Sequence, residues 1–107
     1  VKLNLFYTMP TTEGAFIAKN KAADGDGVYR IDYYKGHNKG ELYYIEGIRD
    51  GKAIRTLEKR LRPVCNIENV DNRDNATKIE CLEPGEVVLR NEEWIIDPNN
   101  KVKIKLL

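Results

Sequence analysis

The 107-residue chain has no serine and no glutamine, and its one histidine is His37. A serine nucleophile is therefore excluded, and so is any scheme that uses one imidazole as base and a second as acid. Catalysis would fall to carboxylates, tyrosines, His37 or a cysteine. Apolar runs stop at four residues, far short of the roughly 20 that a membrane-crossing helix needs. No charged start followed by an apolar stretch marks a secretory signal, so neither a membrane span nor an uncleaved signal is expected. Two cysteines, Cys65 and Cys81, cannot supply the ligands of a structural zinc site, and no metal or other cofactor is expected.

What is present describes one ordinary domain over residues 1 to 107. Eighteen Lys and Arg balance seventeen Asp and Glu for a net charge of +1, but the balance is uneven. Residues 1 to 48 sum to zero, 49 to 62 to +4, 63 to 100 to −6, and 101 to 107 to +3. Segregation of this kind usually serves solubility or internal complementarity, and less often a charged partner.

Most of the chain alternates with a period of two. Val1 to Thr8 reads as a strand, ended by Pro10, and Ala15 to Lys19 as a weaker one. Residues 28 to 35 and 41 to 48 are rich in Tyr and Ile, and Gly36 to Gly40 between them suits a hairpin loop. A symmetric loop sets Tyr33 opposite Tyr43, Ile31 opposite Ile45, Tyr29 opposite Gly47 and Arg30 opposite Glu46. From Gly51 to Arg62 the period changes: Ile54, Leu57 and Leu61 share one side of a predicted helix over about 51 to 61. Asp50 is placed to cap it and Pro63 to stop it. Lys52, Arg55, Lys59 and Arg62 form a second, basic stripe.

Val64 to Glu68 and Lys78 to Leu82 read as strands joined by a polar loop. Pairing Cys65 with Cys81 also pairs Ile67 with Ile79, so a cross-strand disulfide is expected, and with it an oxidising, exported setting. Glu86 to Arg90, Glu93 to Ile96 and Lys101 to Leu106 complete the strands, with turns at Asn91-Glu92 and Asp97 to Asn100. The expected fold is α+β, mainly β: an antiparallel meander or partly closed small barrel of six to eight strands with one helix. Trp94, Ile96, Val102 and Ile104 are expected to join Ile54, Leu57 and Leu61 in its core.

Gly27-Val28-Tyr29, Tyr33-Tyr34 and Gly36, followed by Tyr44, Gly47 and Asp50-Gly51-Lys52, resemble the hairpin rhythm of MORN-like repeats over one copy of about 25 residues. Such arrays stack several units, and here a helix follows instead, so no family function is carried across.

No nucleophile and base stand at a recognisable spacing, so catalysis is not expected. The acids nearest to a usable grouping are Glu41 and Glu46, beside Tyr43, Tyr44 and His37, and Glu46 or His37 would carry an enzymatic reading. Asp24, Asp26 and Asp32 lack the spacing of a calcium loop. The favoured expectation is a non-catalytic protein-interaction module of inhibitor, immunity or adaptor type. It would bind another protein through Tyr29, Tyr34, Tyr44 and His37, since tyrosine offers a large amphipathic contact at low entropy cost. The alternative is a small β domain that binds nucleic acid through Lys52, Arg55, Lys59 and Arg62, with Lys101, Lys103 and Lys105 in support. Lysines alternating along a last strand also suit a plain protective role at a sheet edge.

Overall fold

The alternating stretches do become strands, and the computed structural model, which describes all 107 residues, is 42% strand and 12% helix. In chain order the strands are β1 (Lys2–Tyr7), β2 (Ala15–Ile17), β3 (Tyr29–Tyr34), β4 (Lys39–Tyr44), β5 (Cys65–Glu68), β6 (Ile79–Glu83), β7 (Gly85–Arg90), β8 (Glu93–Ile96) and β9 (Val102–Leu106). Helices α1 (Asp50–Arg55) and α2 (Leu57–Arg60) lie between β4 and β5. A mainly β, α+β fold is what the residue pattern predicts. The count is nine strands rather than six to eight, and the single helix is broken in two.

The break has a local cause at Thr56. Its backbone leaves the helical region (φ −115°, ψ 34°) and its hydroxyl donates to the Lys52 carbonyl at 2.8 Å, a back-bond that competes with regular helix. The apolar side survives the break, with Ile54, Leu57 and Leu61 all buried. Asp50 does not cap the helix. It is the first helical residue and is only 5% exposed. Its carboxylate accepts the Tyr44 hydroxyl at 2.6 Å, the Gly47 N–H at 3.1 Å and the Ile79 N–H at 3.2 Å. One acid thus ties β4, α1 and β6 together.

The strands make two sheets. Six of them curl into an antiparallel half-barrel in the order β1-β3-β4-β7-β8-β2, and three make a mixed sheet in the order β5-β9-β6. The curl closes on an aromatic chain. Tyr7 and Phe16 have ring centroids 5.3 Å apart, Phe16 and Tyr29 5.3 Å, and Tyr29 and Tyr44 5.8 Å. Each buried phenol finds an oxygen to donate to: Ala18 O for Tyr7, Arg60 O for Tyr29 and Asp50 for Tyr44. Tyrosine can therefore serve as core here without orphaned hydroxyls. Trp94, Ile96, Val102 and Ile104 join a cluster of 20 buried residues that draws on both sheets and both helices. Gly85 lets β7 approach β9 closely: a Cβ there would stand 2.7 Å from the Val102 nitrogen.

The hairpin register differs from the symmetric one. Tyr29 stands opposite Tyr44, Arg30 opposite Tyr43, Ile31 opposite Leu42 and Tyr33 opposite Gly40. The shift is three residues, and an odd shift turns one strand over. Leu42 and Tyr44 consequently face inward, and Tyr43 faces out, where the Arg30 guanidinium lies 4.5 Å from its ring centroid. Gly40 belongs to the strand rather than to the loop, paired with Tyr33 and Val87, and the space beside it is tight: a Cβ there would meet Asp32 O and Ile31 Cγ2 at 3.0 Å.

The disulfide is also corrected. Cys65 and Cys81 are free thiols, and β9 runs between their strands, with Val102 beside Cys65 and Ile104 beside Cys81. Two strand spacings of about 4.8 Å exceed the Cα separation that a disulfide spans. The exported setting loses the pairing on which it rested. Nor is β9 an edge. As the central strand it aligns Lys105 with Glu68 and Glu80, and Lys103 with Asn66 and Glu83.

Candidate functional site

The half-barrel presents its outer face to solvent, and an open groove of about 450 Å³ runs over β3, β4 and β7. Strand alternation decides which side chains reach it. With Ile31, Leu42 and Val87 turned inward, the residues between them point out, and the register sets Asp32 beside Glu41 and Glu41 beside Glu86. Tyr34 and His37 border the same groove, their rings 6.1 Å apart. Lys2, Lys39 and Asp97 complete its charged lining.

The three carboxylates in this row have unequal surroundings. Asp32 is buried and engaged by both sides of the Arg30 fork, at 2.9 and 3.2 Å, with Lys2 Nζ at 3.9 Å. Glu41 and Glu86 are exposed and form no ion pair. Like charges directly opposite one another across strands are destabilising. Four carboxylates against Lys2, Lys39 and the Arg30 that clamps Asp32 leave the groove slightly negative.

Of the residues predicted from sequence as a protein contact, Tyr34 and His37 are brought together here, and Tyr34 is 54% exposed. Tyr29 and Tyr44 are not. They are 0% and 3% exposed, inside the curl, so they leave the proposed contact and belong to the core. Burial pushes both phenols above their ordinary range, Tyr29 through desolvation and then the nearby Cys65 thiol, Tyr44 through desolvation and then Asp50. Asp32, Glu41 and Glu86 were missed as a group. The signal for them was strand alternation, but only the true register aligns them.

Of the acid–base grouping Glu41, Glu46, Tyr43, Tyr44 and His37, the groove brings only Glu41 and His37 together. His37 precedes β4 and Glu46 follows it, and the Glu46 carboxylate accepts the Cys81 N–H at 2.7 Å. The basic stripe is dispersed as well. Lys52 lines one cleft, Arg55 a second beside Arg73 and Asp74, and Arg62 is held by Glu58 at 3.2 Å. Lys59 is exposed. The supporting lysines of β9 already face acids of their own sheet, Lys103 lying 3.2 Å from Glu83.

The outer face can thus hold a cationic or hydrogen-bond-donating group against Glu41 and Glu86 and stack it on Tyr34. Compared with family models, with curated proteins and with solved structures, the chain has no match in any of the three.

Proposed function

We propose that this chain is a non-catalytic interaction module whose outer β3–β4–β7 face binds a cationic segment of another protein. The observation that carries this reading is the row Asp32, Glu41 and Glu86, in which Glu41 and Glu86 stand side by side without an ion pair, whereas in the small sheet Lys103 pairs with Glu83. A basic side chain laid along the row would relieve that repulsion and gain charge-assisted hydrogen bonds. Tyr34 and His37 at the rim would supply flat contact area.

An arginine-rich peptide titrated into labelled protein, followed by backbone chemical shifts, tests this. Shifts should concentrate on Tyr34, His37, Glu41 and Val88. The double variant E41Q/E86Q should weaken binding by roughly tenfold, and Y34A by less. Shifts spread over β9, or undiminished binding by the double variant, would overturn it.

A further inference from the structure

A second charged feature lies outside that groove. A cleft of about 240 Å³ opens where the segment after β1 meets α1 and α2, and Arg49, Lys52 and Arg60 all line it. Its one acid is Asp26, which is 71% exposed and meets Arg49 at 3.5 Å, so solvent screens the pair heavily. Lys52 has no carboxylate partner.

Arg60 is the informative residue. Its guanidinium makes no ion pair, and its Nε is the one buried side-chain polar atom in the chain with no hydrogen-bond partner. The residue is anchored through its backbone, since its carbonyl accepts the buried Tyr29 hydroxyl and its N–H bonds the Thr56 carbonyl at 2.9 Å. A buried N–H with nothing to bond is costly and rare. Arg60 also lines the cleft, and no carboxylate of the chain pairs with it. The three cations share the space with the Thr8 hydroxyl and with Val28 and Ala53, which are apolar and buried.

We infer that this cleft binds a phosphate-class oxyanion, with Arg60 and Lys52 as its principal contacts and Arg49 released to it from Asp26. A phosphate supplies several acceptor oxygens to a planar guanidinium and a lysine together. The exposed Met9 in the lining suits the carbon group of a small phosphomonoester better than a second charge. Neither the acidic groove nor its cationic partner is needed for this site.

The test is a titration at low ionic strength with inorganic phosphate, with phenyl phosphate, and with a short oligonucleotide carrying or lacking a 5′-phosphate. Saturable binding of phosphate and tighter binding of phenyl phosphate are expected. Removing one charge-assisted contact in R60Q should weaken binding roughly ten- to hundredfold. K52Q and R49Q should weaken it with an unchanged melting temperature, which keeps the test valid should R60Q fold poorly. R55Q, in the neighbouring cleft, should bind as wild type does. Absence of saturable binding, equal losses in R55Q and K52Q, or an oligonucleotide that binds equally without its 5′-phosphate would overturn the inference.

Discussion

Each of the two sheets lays charged side chains across three strands, and the outcomes are opposite. In the small sheet, Lys105 of β9 stands between Glu68 and Glu80, and Lys103 bonds Glu83 at 3.2 Å. In the half-barrel, Asp32, Glu41 and Glu86 stand in line and only Asp32 has cations within ion-pair distance. The same cross-strand geometry is therefore used once for cancellation and once for accumulation. Opposite-charge pairs contribute roughly 0.2 to 1 kcal/mol each, and like pairs cost similar amounts, so the second row is one the fold carries at a loss. The contrast separates charge paired within the fold from charge left unpaired on its surface.

The strongest way to press this contrast is to create charge where no partner exists. Burial pushes the Cys65 thiol from the usual 9.0 up to about 12, and the Tyr7 phenol from 10.0 to about 12. Tyr29 and Tyr44 move in the same direction. In the unfolded chain these groups ionise at ordinary values. Their contribution is therefore complete below about pH 9 and is lost as pH rises towards 12, because there the unfolded state has released protons that the folded state keeps. Alkaline titration should unfold the protein cooperatively in that window. Part of the tyrosinate absorbance should appear only together with the loss of circular dichroism; its complete appearance beforehand would show that the aromatic chain is open to water.

Next in size comes removal of a charge that has every partner. D50A strands the Tyr44 hydroxyl and the Gly47 and Ile79 N–H groups, and should cost about 3 kcal/mol in urea unfolding. Y44F should cost about 1 kcal/mol. A loss below that in D50A would mean that the seam between the sheets is held by packing alone. Smallest, and most direct, is a pair of reversals. K105E should destabilise by about 1 kcal/mol, whereas E41K should stabilise by about 0.5 kcal/mol, with both effects shrinking in high salt. Equal signs for the two variants would erase the distinction between the sheets.

Much of this architecture was legible in the chain. The alternation of Val1 to Thr8 and of Glu93 to Ile96, the helical spacing of Ile54, Leu57 and Leu61, and the stop at Pro63 all report local backbone preference, and each has its counterpart in the structure. Asn91 and Glu92 turn with φ of 50° and 64°, the left-handed pair of a tight hairpin. Half of the candidate face is legible in the sequence. Tyr34 follows from alternation, because Tyr33 packs 5.2 Å from Trp94 and its neighbour must point away. Tyr44 misled because a symmetric loop sets it on the wrong face, and three residues of register separate an exposed ring from a buried one. The cysteines misled in a similar way, since two strands can satisfy each other's pattern on paper while a third lies between them.

The sequence by itself determined which segments extend, which coil, and which residues are apolar enough to be buried, because those properties depend on neighbours a few positions away. Only the tertiary structure decided the partners. It set β9 between β5 and β6, turned Tyr44 inward and Asp50 into a buried clasp, and lined up Asp32, Glu41 and Glu86 on one face. The physical reason is that strand pairing is nearly degenerate locally: many registers satisfy the same alternation, and the choice among them comes from the packing of the whole core.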